Sequence, residues 1–164
     1  GLAFGTGTHA TTAMCLGALD AAVSGGESVV DYGCGSGILA IAALKLGASK
    51  ALGVDNDPQA LAASRDNAAR NQISTDQFDV VMPEDNVLLA WSNAASVVVA
   101  NILAGPLLSL AHELIELTAP GGRLLLTGVL EEQAAELIEH YEYVGLEVAD
   151  RRDGWVLLSG IKPA

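Results

Sequence analysis

This 164-residue chain is short of cysteine, of basic side chains, of long apolar runs, and of any repeat or low-complexity tract. Hydrophobic residues make up 51% of it, yet no stretch of about 20 apolar residues free of charge occurs, and no membrane span is expected. The apolar runs are short and punctuated, as at Val97-Val98-Val99-Ala100 and Leu124-Leu125-Leu126, which suits strands buried on both faces of a parallel sheet. No basic segment followed by an apolar one opens the chain, so it does not read as a signal peptide, and a cytoplasmic location is the expectation. Cys15 and Cys34 form neither a disulfide framework nor a metal-ligand pattern, and the 3 histidines are scattered; the expectation is free thiols and no metal. With 8 basic against 20 acidic residues the net charge is −12, which disfavours direct binding to a nucleic-acid backbone and favours a basic protein or a small molecule as partner. Solubility alone is the competing reason for that acidity. The length fits one domain over 1–164, expected as a monomer.

What the chain does contain is concentrated first in Val29-Val30-Asp31-Tyr32-Gly33-Cys34-Gly35-Ser36-Gly37, followed by a second apolar run ending on an acid, Leu52-Gly53-Val54-Asp55. A buried strand enters a loop of alternating glycines, where missing side chains let a ligand or a following helix approach the backbone. The next helix aims its unpaired amide hydrogens above that loop. Asp55 is placed to accept from ribose hydroxyls at the end of the next parallel strand, with capping of the helix at Pro58 as the plainer alternative; Asp57 is the better cap. Dinucleotide sites use Gly-x-Gly-x-x-Gly, whereas this order is Asp-x-Gly-x-Gly-x-Gly. An acid at Asp31 would repel a pyrophosphate and attract an ammonium. S-adenosylmethionine, with an ammonium, a carboxylate and a sulfonium but no phosphate, therefore fits better than NAD.

Apolar and amphipathic segments alternate along the whole length, the pattern of an α/β protein with a parallel sheet. Helices are predicted over 8–22, 37–46, 58–71, 107–117 and 131–141, and strands over 28–32, 51–55, 78–81, 96–101 and 123–127. Two further strands, 144–150 and 155–161, are joined by Arg151-Arg152-Asp153-Gly154, a hairpin signal expected to set an antiparallel strand at the sheet edge. Such a doubly wound, mostly parallel seven-stranded sheet with a C-terminal hairpin resembles the Rossmann-like class I S-adenosylmethionine-dependent methyltransferases. Gly33, Gly35, Gly37, Asp55 and Asn101 all fall at carboxyl ends of strands, where open α/β sheets bind ligands.

Two more segments narrow the resemblance. Gly1-Leu2-Ala3-Phe4-Gly5-Thr6-Gly7-Thr8-His9-Ala10-Thr11-Thr12 and Val99-Ala100-Asn101-Ile102-Leu103-Ala104-Gly105-Pro106-Leu107, with Asp55-Asn56-Asp57-Pro58 between them, are similar to signature segments of the PrmA family of bacterial ribosomal protein methyltransferases. The resemblance implies N-methylation of lysine and N-terminal amino groups on a basic ribosomal protein, protein eleven of the large subunit. The family carries a substrate-recognition domain ahead of the Phe-Gly-Thr-Gly segment, so a catalytic-domain fragment is expected here. Ala10 stands where the family usually has proline. The alternatives are a methyltransferase of this fold acting on another amine, an NAD-dependent oxidoreductase, and a nucleoside-binding module without turnover.

By that resemblance Thr12 matches a cofactor-contacting threonine, and Thr8 belongs to a flap-like segment over the cofactor. Helix capping is the rival reading of Thr8. His9 is as readily a structural hydrogen-bonder as a base. Asp31 either pairs with the cofactor ammonium, directly or through water, or orients the loop. Asn101, closing an apolar strand, is the candidate catalytic residue, holding the amine through its side-chain oxygen and nearby carbonyls. Related amine methyltransferases have Asn-Pro-Pro-aromatic at this place; here only the asparagine remains. That leaves Phe4 or Trp155 to surround the amine, although edge packing is the plainer reading of Trp155.

Overall fold

The short apolar runs become strands because both of their faces are covered. The computed structural model describes residues 9–164. Its first half alternates α1 (Ala10–Ala22), β1 (Ser28–Tyr32), α2 (Ile38–Lys45), β2 (Lys50–Val54), α3 (Pro58–Arg70) and β3 (Phe78–Val81). A short α4 (Val87–Ala90) leads to β4 (Ala95–Asn101), then α5 (Ala104–Ser109), α6 (Ala111–Leu117) and the long β5 (Thr118–Leu130). Next comes α7 (Ala134–His140), with 3-10 turns on either side, and the chain ends with β6 (Glu147–Arg152) and β7 (Trp155–Ile161). The sheet order is β3-β2-β1-β4-β5-β7-β6. Strands β1 to β5 pair in parallel, and β7 runs antiparallel to both β5 and β6.

Alternate residues of each strand enter different layers, as the two-residue period requires. Val29, Val97, Val99, Leu125 and Leu157 pack with Met14 of α1, Leu39 of α2 and Leu61 of α3. Val30, Leu52, Val98, Leu124 and Leu158 pack on the other side with Leu107 of α5, Leu114 of α6 and Leu137 of α7. Each such buried side chain contributes roughly 1.5–3 kcal/mol. Among the described residues no helix is long and apolar enough to cross a membrane.

Several local expectations are refined. The terminal hairpin forms through a two-residue turn in which Asp153 (φ 54°) and Gly154 (φ 83°) are both left-handed, the twist that two-residue hairpins need. The antiparallel strand is not at the edge, however. Strand β6 lies outermost and β7 fills the space between it and β5. The helix predicted over 107–117 begins earlier, at Ala104, because Pro106 in a first helical turn sacrifices no hydrogen bond. It is interrupted at Leu110 (φ −96°, ψ 7°), although Leu110 N–H still donates to Pro106 O and Leu114 N–H to Leu110 O. Asp57 caps α3 as expected, accepting from Gln59 N at 2.9 Å. The cap of α1 is His9, whose Nδ1 accepts from Thr11 N at 3.2 Å; Thr8 lies outside the described residues.

Candidate active site

The carboxyl ends of β1, β2 and β4 lie side by side, and the chain leaving each contributes to one site. After β1 the loop folds over the end of β2, with Gly33 N–H and Cys34 N–H both donating to Val54 O at 2.7 and 3.0 Å. Gly35 N–H then reaches Asp55 Oδ2 at 2.9 Å, while Asp57 N–H takes Oδ1 at 3.0 Å. Helix α3 holds the loop from behind: Ser64 Oγ donates to Gly35 O at 2.8 Å and Asn67 Nδ2 to Ser36 O at 2.9 Å. Gly33, Gly35 and Gly37 all have positive φ, at 81°, 55° and 83°, but their surroundings differ. A Cβ at Gly33 would overlap Ile102 Cγ2, and one at Gly37 would press Ser64 at 3.0–3.3 Å. At Gly35 it would meet nothing within 4 Å among the described residues, so a ligand can approach the backbone there.

Asn101 shares its strand face with Val97 and Val99, the face turned toward α1. Its Nδ2 donates to the buried Thr12 Oγ1 of that helix at 3.3 Å. Asn101 is only 8% exposed, and its Oδ1 is a buried acceptor with no donor among the described residues, a state that costs roughly 1–3 kcal/mol unless a partner is supplied. Asn101 lines a cavity of about 440 Å³ whose other polar members include Asp55 and Asn56. Its walls are otherwise apolar, from Tyr32, Ile102, Leu103, Pro106 and Leu110. That combination of apolar wall and a few convergent polar groups is typical of small-molecule sites.

Of the residues singled out from the sequence, Gly33, Asp55 and Asn101 line the cavity. Thr12 stands behind Asn101, and Gly35 and Gly37 shape the loop without being part of the wall. Asp55 does not wait for ribose hydroxyls to satisfy it: the loop already supplies two donors, and a carboxylate with about four acceptor sites has capacity left. Trp155 is outside the wall and meets the His9 ring edge-on, centroids 5.4 Å apart. Phe4 lies outside the described residues. The apolar wall was missed by sequence reasoning. The only hint was that Ile102-Leu103 directly follows the asparagine.

Asp31 is not among the residues lining the cavity; it is 1% exposed, with Oδ2 accepting from Ala40 N of α2 at 3.2 Å. Burial first, and the nearby Asp55 charge, push its carboxyl from 3.8 to about 7, against the lowering effect of the Ala40 hydrogen bond. In the unfolded chain the group ionises near pH 4. Between about pH 4 and 7 the folded state thus keeps a proton that the unfolded state has released, and this group's contribution to stability is lost as pH rises through that window. The slope approaches about 1.4 kcal/mol per pH unit. Asp31→Asn, which still accepts from Ala40, should remove it. Urea denaturation of both chains at pH 5 and pH 8 measures this, and parallel pH profiles would dismiss burial of a charged Asp31 as the cause.

The sheet order with one reversed strand, and the cavity at the carboxyl ends of β1, β2 and β4, define a Rossmann-like class I methyltransferase domain. The family profile described as ribosomal protein L11 methyltransferase (PrmA) matches residues 1–163. Among curated relatives, the ribosomal protein L11 methyltransferase of Pseudomonas paraeruginosa is 55% identical over all of this chain and 55% of its own length. That of Azotobacter vinelandii is 56% identical over 99% of this chain and 54% of its own. The crystal structure of a ribosomal protein L11 methylase from Lactobacillus delbrueckii subsp. bulgaricus superposes with a TM-score of 0.81 at 30% identity, covering 95% of this chain and 81% of that one. An RNA methyltransferase from Salinibacter ruber, at 18% identity and a TM-score of 0.69, shares the fold. The chain belongs to the ribosomal protein L11 methyltransferase family. It spans about half the length of the curated relatives it matches.

Proposed function

We propose that this domain transfers methyl groups from S-adenosylmethionine to amino groups, lysine and N-terminal, of ribosomal protein L11. The proposal includes a monomer at work in the cytoplasm, with a separate domain ahead of it in the family's arrangement taking part in recognising the ribosomal protein. The observation that carries it is Asn101 Oδ1, an acceptor at the wall of the cavity with no donor among the described residues. An amine has hydrogens to give to that acceptor. The names of the relatives supply the substrate, and the acidic surface of the chain suits a basic protein.

The residues present fit the cofactor. The unused acceptor sites of Asp55 suit ribose hydroxyls, the open side of Gly35 admits a ligand against the backbone, and Gly33 contributes to the same wall. Bound there, S-adenosylmethionine supplies a methyl group on a sulfonium, an electrophile that needs no activation by the protein. The chain's part is then to desolvate and orient the amine. A lysine amine with a solution pKa of about 10.4 is charged at pH 7, and the apolar wall of Tyr32, Ile102, Leu103, Pro106 and Leu110 favours its neutral form. Asn101 Oδ1 accepts one amine hydrogen and fixes the direction of the lone pair; such orientation contributes several kcal/mol. No general base is needed once the amine enters neutral.

Asp55→Ala should weaken S-adenosylhomocysteine binding by about 1.5–3 kcal/mol, the range for hydrogen bonds to a charged group. The core beneath the loop stays folded, because Asp55 lies on its rim. Calorimetric titration of parent and variant is the test of cofactor binding, and transfer of a labelled methyl group to ribosomal protein L11 is the test of activity. A folded Asp55→Ala chain with undiminished affinity would remove Asp55 from the cofactor's contacts.

A further inference from the structure

We infer that a second cavity, next to the one bearing Asn101, is the docking groove for the extended, basic and apolar segment of protein that flanks the modified amine. The inference rests on the amine-methylating function proposed above and says where the rest of the substrate lies. The groove encloses about 240 Å³ between α4 and α6. Tyr32 and Pro83 line both cavities, so the groove continues the reaction cavity instead of forming a separate site. Leu88, Leu89 and Leu117 give it apolar walls, and Glu113 and Glu116 stand along it.

Two features select the occupant. The first is unspent apolar surface: Leu89 is 76% exposed, on a helix of only four residues, none of them buried, in which Val87 and Leu88, with Trp91 at the C-cap, are the partly buried residues packed against the core. Leu103, on the adjoining cavity, is 57% exposed, and large exposed apolar side chains gathered at the rim of a site mark a contact surface. The second is uncompensated negative charge. The ion pairs among the described residues are Arg70–Asp66 and Arg151–Glu131, and none of the described groove residues is basic. Lys162, which shares a neighbouring cavity with Glu116, spends its ammonium on Asn93 Oδ1, Ile115 O and Thr118 O and makes no ion pair with either glutamate. Glu116 Oε1 accepts from Ser92 Oγ at 2.6 Å, which steadies the carboxylate without cancelling its charge. The field reaches Tyr32, whose hydroxyl is pushed above its usual range by burial first and then by Glu113 and Glu84. A lysine seated at Asn101 therefore has neighbours that meet leucines and carboxylates. Apolar side chains alternating with lysine or arginine complement both, whereas an acidic or nucleic-acid segment is repelled.

The test reads binding directly and does not depend on turnover. A labelled peptide of alternating leucine and lysine is titrated into the parent chain by fluorescence anisotropy, with amide chemical shifts recorded in parallel. The shifts should centre on Leu88, Leu89, Ser92 and the stretch 113–117. Glu113→Gln with Glu116→Gln should weaken the peptide about tenfold and flatten its salt dependence. Asp20→Asn with Asp76→Asn, which removes the same charge on α1 and in the turn ahead of β3, should change little. S-adenosylhomocysteine affinity should be equal in all three chains, which shows that they are folded. In methyl transfer to a lysine peptide, the groove variant should raise KM and leave kcat unchanged. Equal weakening by both charge pairs, or shifts centred elsewhere, would overturn the groove and reduce the effect to net charge. A parent chain that binds the peptide in the groove but neither binds cofactor nor transfers methyl would refute the proposed function and leave the groove standing.

Discussion

Replacing Asn101 by alanine should slow methyl transfer by about tenfold or more, on the order of 1.4 kcal/mol, while S-adenosylhomocysteine affinity stays within a few-fold of the parent. Rate and binding separate because the two polar atoms of this side chain face different partners. Nδ2 is committed to Thr12 Oγ1, and Oδ1 has no donor among the described residues, so the methyl-accepting amine is its proposed partner. Truncation also relieves a buried, unsatisfied acceptor, so the variant should be no less stable than the loss of its packing and of one 3.3 Å hydrogen bond to Thr12 implies. Single-turnover transfer at saturating cofactor, set beside calorimetric affinity, checks this. Parallel losses in both quantities would make Asn101 a cofactor contact.

The fold could be read from the sequence because burying a parallel sheet on both faces leaves a direct trace. Runs such as Val97 to Ala100 are apolar at every position, since odd and even residues each meet a helix layer. The glycine loop and Asp55 were legible for a related reason: backbone approach and a strand-closing acid need particular residue types at fixed spacing. What stayed hidden depends on which face a residue takes and on what lies across the sheet. The four residues of α4 are too few to show a helical period. Nothing local tells that β7 lies inside β6, because the gap it fills is created by the crossover of α7. The orientation of Asn101 could have been found, since it keeps the parity of Val97 and Val99 and so must face α1. The same parity argument puts Asp31 with Val29, under α2. There the structure shows its carboxyl group on Ala40 N–H of α2, and the cavity wall contains no Asp31.

The second large effect is expected at a glycine that no motif marks. Gly128 follows Thr127 on β5, and its φ of 89° is in the left-handed region. A Cβ there would overlap the carbonyl oxygen of Ile102 and stand 2.7 Å from its carbonyl carbon and 3.2 Å from its nitrogen. These are backbone atoms held by Ile102 N–H donating to Thr127 O at 3.2 Å, so no side-chain rotation relieves the contact. Gly128→Ala should therefore cost roughly 3 kcal/mol or more, combining a left-handed alanine with displaced backbone. Gly145 is the internal control, with φ 62° but nothing within 4 Å of an added Cβ; its alanine variant carries the backbone strain alone, about 1 kcal/mol. Urea denaturation of both variants isolates the contact as their difference. Because Ile102 directly follows Asn101, the shift should also move Oδ1. At a temperature where Gly128→Ala is folded, its methyl-transfer rate should fall while that of Gly145→Ala does not. Equal stability losses in the two variants would mean that the Ile102 segment yields freely, and Asn101 would then not be held from below by β5.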